Sequence, residues 1–125
     1  MTRHPMRGWR TCKENSFQSI AFFEYSLAQL HIQRGDDAQA REAFERALTT
    51  DLSFYAAYAA LGDLAMQRGD TAAAAENYRQ AVDLRPADGG LRAGYALALI
   101  KANRPLEAVA QLELAIELEP YFAQP

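Results

Sequence analysis

Gln33-Arg34-Gly35-Asp36 recurs residue for residue as Gln67-Arg68-Gly69-Asp70, displaced by 34 positions. The same displacement aligns Ala40, Ala74 and Ala108, and again Ala47, Ala81 and Ala115. It aligns the bulky residues Phe44, Tyr78 and Leu112 and the branched residues Leu48, Val82 and Ile116, and it separates Pro86 from Pro120. A fixed period of this length means that the chain is built from stacked supersecondary units, each burying its apolar face only against its neighbours. The coincidences divide the chain into three units, residues 21–54, 55–88 and 89–122.

The composition says what each unit is made of. Ala accounts for 25 of 125 residues, and only 5 Pro and 7 Gly interrupt the chain, so the expected fold is all-α. The first helices are expected over 21–33, 55–67 and 89–101. Gly35, Gly69 and Asn103, which tolerate the left-handed conformation, end them. Asp36 and Asp70 are placed to cap second helices over 37–49 and 71–84, and Pro105 to open a third over 105–118. Pro86 and Pro120 stop the second and third of these, with Leu52 in the equivalent place in the first unit. Ala40/Ala47, Ala74/Ala81 and Ala108/Ala115 are seven apart, one helical face, so the two helices of a hairpin approach closely there while Phe44, Tyr78 or Leu112 fills the space between. Asn15 or Ser16 is placed to cap the first helix, which Phe17 and Ile20 extend; residues 1–14 are expected to lack structure.

Charge divides the chain. Residues 1–20 hold four basic side chains and one acidic, a net of +3, and residues 21–125 hold nine basic and fifteen acidic, a net of −6. The repeat region therefore repels phosphate backbones, and no nucleic-acid partner is expected. No secretory core and no membrane span are legible, which points to a cytoplasmic protein or a piece of a longer chain. Cys12 has no second cysteine to pair with. Trp9 and Arg10 in the basic tail could touch a membrane surface or RNA, but a flexible end accounts for them more simply.

In its repeat the chain resembles the tetratricopeptide repeat family. The family pattern combines an aromatic, a Leu-Gly pair, a Tyr, and then Ala, Phe, Ala and Pro at fixed places in 34 residues. Unit two matches best, with Tyr58, Leu61, Gly62, Ala74, Tyr78, Ala81 and Pro86, and departs at Ala65, where the family prefers Tyr. Unit one offers Leu27, Ala28, His31, Ala40, Phe44 and Ala47; unit three offers Tyr95, Ala96, Leu99, Ala108, Leu112, Ala115 and Pro120. The resemblance implies a right-handed α-solenoid of three helix-turn-helix hairpins over residues 16–122, between a basic tail, 1–15, and a short tail, 123–125.

It also implies that the first helices line a concave groove. Carried over position by position, the groove comprises Phe22, Tyr25, Gln29, Ile32 and Gln33, then Ala56, Ala59, Asp63, Met66 and Gln67, then Gly90, Ala93, Leu97, Ile100 and Lys101. The partner-binding residues expected among them are Phe22, Tyr25, Gln29, Ile32, Asp63, Met66, Leu97, Ile100 and Lys101, mostly apolar and suited to an extended segment or amphipathic helix of a protein partner. The competing reading is that several of these pack internally. Chaperone-binding members clamp a terminal carboxylate with basic side chains. The matching positions here, Tyr25, Gln29, Ala60, Gly90 and Gly94, include none, so no such recognition is expected.

Catalytic signals are weak. His4 and His31 are far apart, with His31 at a packed aromatic position, and no phosphate loop or metal-ligand spacing occurs. Glu42, Glu45, Asp63, Glu113 and Glu117 read as solvated helix faces, with Arg46 four residues after Glu42 as a stabilising pair. Neither an enzyme nor a cofactor is expected. The leading reading is a non-enzymatic interaction scaffold; the alternatives are a module that self-associates through its uncapped third unit, and an auxiliary domain of a larger assembly factor or enzyme.

Overall fold

The computed structural model describes the chain from residue 5 to residue 118, with side chains from residue 17. Six helices follow in order: α1 (Pro5–Gln33), α2 (Asp37–Thr50), α3 (Tyr55–Arg68), α4 (Thr71–Leu84), α5 (Gly89–Lys101) and α6 (Pro105–Leu118). They pack pairwise as three hairpins, α1 with α2, α3 with α4 and α5 with α6, and α4 also packs on α5. The chain divides into two compact units, Met1–Phe54 and Tyr55–Pro125, where the sequence suggested one domain over 16–122.

The turns inside the hairpins follow from single residues. Gly35 and Gly69 both take φ of 82° and Asn103 takes 63°, the left-handed conformation expected of them. In each turn the next residue reaches back five positions: Asp36 N–H donates to His31 C=O at 2.8 Å, Asp70 to Ala65 at 2.9 Å and Arg104 to Leu99 at 2.9 Å. These bonds satisfy carbonyls that the end of a helix leaves open. Pro105 opens α6 as expected.

Caps divide into two kinds. Asp70 Oδ1 accepts from the Ala73 amide at 3.2 Å, and Asp88 does the same for α5 from Leu91 at 3.2 Å. Asp36 occupies the cap position of α2 but makes no side-chain cap bond. Its carboxylate instead lies 4.0 Å from His31 Nδ1.

The first helix is longer than its periodic part. It begins at Pro5, ahead of Asn15 and Ser16, so the stretch expected to lack structure is helical from Pro5 onward. Proline at a first helical position is pre-organised, and Met6, Arg7, Arg10, Lys13 and Glu14 all favour helix, outweighing Gly8. The tail 123–125, the stop at Pro120 and the side chains of Trp9, Arg10 and Cys12 lie outside the described residues.

In the first unit Ala28, Ala40, Ala43, Ala47 and Phe44 are buried where α1 meets α2. The Tyr25 ring stacks on Phe54 at 5.1 Å between centroids and tilts against Phe44 at 5.4 Å. Arg46 bonds Glu24 across the hairpin at 2.9 Å, in place of the pair expected with Glu42 on its own helix. Its guanidinium finds there a partly shielded carboxylate on α1, a better site than an exposed neighbour along α2.

In the second unit the period is expressed as a wedge. Tyr78 of α4 lies between α3 and α5 at two glycines. A Cβ on Gly62 would stand 2.8 Å from one edge of its ring, and a Cβ on Gly94 would stand 2.8 Å from the other. Around it Ala65, Ala74, Ala75, Val82, Tyr95, Ala96, Ala98, Leu99 and Ala108 form one buried cluster. Leu112, expected to fill the same place in the third hairpin, is instead exposed, because the described residues provide no seventh helix for it to face. No helix among the described residues is long and apolar enough to cross a membrane.

The grip on Tyr78 sets the effect of Gly94→Ala. In an isolated helix the change gains about 1 kcal/mol, but the methyl overpacks the ring at a cost of about 1–3 kcal/mol. Urea titration should show Gly94→Ala destabilising in the native background and stabilising with Tyr78→Leu, the two being strongly coupled. An equal effect in both backgrounds would contradict the wedge.

Candidate functional site

The residues carried over as the groove lie on helices of both units, and each unit is taken separately. In the first unit Phe22, Tyr25, Gln29 and Ile32 recur at three- and four-residue spacing, one face of α1. Phe22, Gln29 and Ile32 are exposed along it. Tyr25 is half-buried, its ring held by Phe44 and Phe54, so it belongs as much to the support of this face as to its surface. His31 sits at the core edge, its Nδ1 buried and without a hydrogen-bond partner among the described residues.

In the second unit α3 presents Asp63 and Met66, and α5 presents Leu97, Ile100 and Lys101. Both helices grip the Tyr78 ring, α3 through Gly62 and α5 through Gly94. Leu97 and Ile100 are about half exposed, whereas their neighbours Ala96, Ala98 and Leu99 are buried. The apolar character of α5 is therefore not exhausted by the core: one side packs inward and the other offers a leucine and an isoleucine to solvent. Lys101 is exposed in the last turn, where a cation is favoured by the helix dipole. Met66 is half-buried against the cluster, leaving part of its thioether side chain at the surface.

Asp63 is where spacing alone said least. The Tyr78 hydroxyl donates to its Oδ1, so the ring wedged from α4 ends in a hydrogen bond to the α3 carboxylate. The carboxylate is thereby fixed rather than free to swing. Burial raises its pKa above the ordinary value. The sequence held a signal for this, since Tyr78 at a wedge position must place its hydroxyl beyond the two helices it separates. Arg92, another cation of α5, is engaged by the Pro86 carbonyl at 2.9 Å and Gln111 Oε1 at 2.8 Å. Among the described residues no three His, Cys, Asp or Glu side chains gather as metal ligands would.

The raised pKa of Asp63 fixes the sign of a pH effect. The folded state holds this proton to higher pH than the unfolded chain, so the group's contribution to stability is full at low pH. It is lost as the pH rises through the folded value. Asp63→Asn keeps an acceptor for Tyr78 without the charge. Its stability relative to the native chain should therefore rise with pH across the carboxylate range and level off above it, as measured by urea denaturation. A difference that falls with pH would contradict this.

Comparison with known proteins agrees with this geometry. Tetratricopeptide repeat profiles match residues 25–89 and residues 65–121. No curated protein matches the chain. Among solved structures, MamA superposes with a TM-score of 0.77 at 24% identity over 85% of this chain, which spans 62% of the MamA chain. The N-terminal domain of stress-induced protein-1 from C. elegans superposes at 0.75 with 17% identity, over 82% of this chain and 86% of that one. The first repeat domain of Spaghetti (RPAP3), bound to the HSP90 peptide SRMEEVD, superposes at 0.77 with 16% identity, over 82% of each chain. At these identities the likeness is one of fold, an all-α helical repeat. With profiles covering more than half of its length and the 34-residue period running through all three hairpins, the chain belongs to the tetratricopeptide repeat family.

Proposed function

We propose that the chain is a non-enzymatic protein-interaction module that holds an apolar segment of a partner, an extended peptide or an amphipathic helix, on the faces of its first helices. The observation that carries this is the double-sided apolar character of α5, with Leu97 and Ile100 half exposed on the side away from the buried Ala96, Ala98 and Leu99. Exposed apolar groups in a stripe on a rigid helix are what a partner's side chains can dehydrate, at about 25 cal/mol per Å² removed from water. Phe22 and Ile32 give α1 of the first unit a stripe of the same kind.

Polar groups at the edges supply selectivity. Asp63, oriented by Tyr78, is an acceptor for a partner's N–H, and Lys101 is a cation at the far end of α5. The peptide bound to the Spaghetti domain ends in an acidic sequence. Here Tyr25, Gln29, Ala60, Gly90 and Gly94 offer no cation at the places that would receive such an end, so the partner is recognised by apolar anchors rather than by its terminal carboxylate.

Co-purification from the native cell tests the reading. Leu97→Glu with Ile100→Glu, both at exposed positions, should leave the helix content intact and deplete the bound partners at least about tenfold, a loss of roughly 1.4 kcal/mol or more. Phe22→Ala should weaken capture through the first unit; it is a cleaner change than Tyr25→Ala, which would also unpack Phe44 and Phe54. Retention of every partner by these variants would contradict the proposal.

A further inference from the structure

The 34-residue period makes each helix face comparable with its counterparts. Where α4 packs on α5, Ala75, Tyr78 and Val82 share one cluster with Tyr95 and Ala98, and Leu91 packs against it. Within this junction Tyr78 is 8%, Val82 5%, Tyr95 8% and Ala98 0% exposed. One period after the α4 residues stand Val109, Leu112 and Ile116 on α6, exposed by 51%, 39% and 57%. Two periods before the α5 residues stand Phe23, Leu27 and Leu30 on α1, exposed by 66%, 41% and 55%. The registers that bury each other at the internal junction are thus both present, both apolar and, among the described residues, both uncovered on the first and last helices.

We propose that these two faces bind each other between copies of the chain: α6 of one molecule packs on α1 of the next, repeating the α4–α5 junction. The small and large positions are complementary. Where the Tyr78 ring meets Gly94 internally, the corresponding pair across copies is Leu112 and Ser26, a smaller wedge over a slightly larger floor. Charge selects unlike ends. α6 has Glu107, Glu113 and Glu117 and no basic residue, so two α6 faces repel each other. From residue 17 onward α1 has one carboxylate, Glu24, and Arg46 engages it, so the α1 face sets up no such repulsion against α6. The contact is heterologous: a molecule that uses its α6 face still has its α1 face free, so assembly proceeds past the dimer or closes as a ring.

Two exposed positions provide the test. Phe23→Glu disables the α1 face and Ile116→Glu disables the α6 face, with circular dichroism to verify unchanged helix content. Light scattering of the native chain should give a mass that climbs with concentration beyond twice the monomer. Each variant alone should stay at the monomer mass, and an equimolar mixture of the two should reach twice that mass and stop, because each contributes one intact face. A native chain that remains monomeric, as it would if residues 119–125 covered α6, overturns the proposal. So does a variant that still associates alone, which would mean like faces pair, and so does a mixture that stays monomeric. None of these readouts depends on Leu97 or Ile100, so failure here and failure of the partner-binding reading are separate results.

Discussion

A tyrosine ring held between two glycines sets the geometry of the second unit. Tyr78 leaves α4 and enters the gap between α3 and α5, which come close enough to grip it because Gly62 and Gly94 have no Cβ to obstruct it. The ring excludes water from the junction, and its hydroxyl, which could not be buried unpaired, emerges at Asp63. One side chain thus spaces two first helices, joins two successive hairpins and orients a carboxylate on the face that those helices present. The alanines at Ala74, Ala81 and Ala108 serve the same end from below, letting backbones approach.

The same wedge explains why α5 has a usable surface. α5 packs on its own second helix, α6, and on α4 of the preceding hairpin. That occupies two sides of the helix and leaves a third. On α5 the third side holds Leu97 and Ile100, and on α1 it holds Phe22 and Ile32. On α6 a further side is unoccupied among the described residues, which is why Val109, Leu112 and Ile116 are exposed although their counterparts on α4 are core. On α1 the proposed partner-binding residues, Phe22 and Ile32, and the proposed self-association residues, Phe23, Leu27 and Leu30, therefore lie on different sides of one helix.

Much of this was legible in the sequence because the period fixes the phase of every helix and a few residues punctuate it. Gly35, Gly69 and Asn103 end the first helices where their left-handed backbone is needed, and the helix ends fall within about a residue of the expected ones from Gln33 onward. What lay outside the period was harder to read. α1 extends back to Pro5 by local helix propensity, with no repeat to mark it. Arg46 chose Glu24 on the facing helix over a neighbour four residues away, a choice set by how α1 and α2 pack. Asp36 and Asp70 occupy identical places in identical tetrapeptides, yet only Asp70 makes a side-chain cap bond. Asp88, a capping residue type directly ahead of two glycines, caps α5. The bond between Tyr78 and Asp63 required knowing how far the ring penetrates.

Hydrogen exchange on Tyr78→Ala tests the central claim most directly. If this ring is the common support of both flanking helices, amides of α3 around Gly62 and of α5 around Gly94 should lose protection together, by a similar factor, while the helices remain formed. Loss of protection confined to α4, with α3 and α5 as protected as before, would mean that the two first helices are held in place by something else.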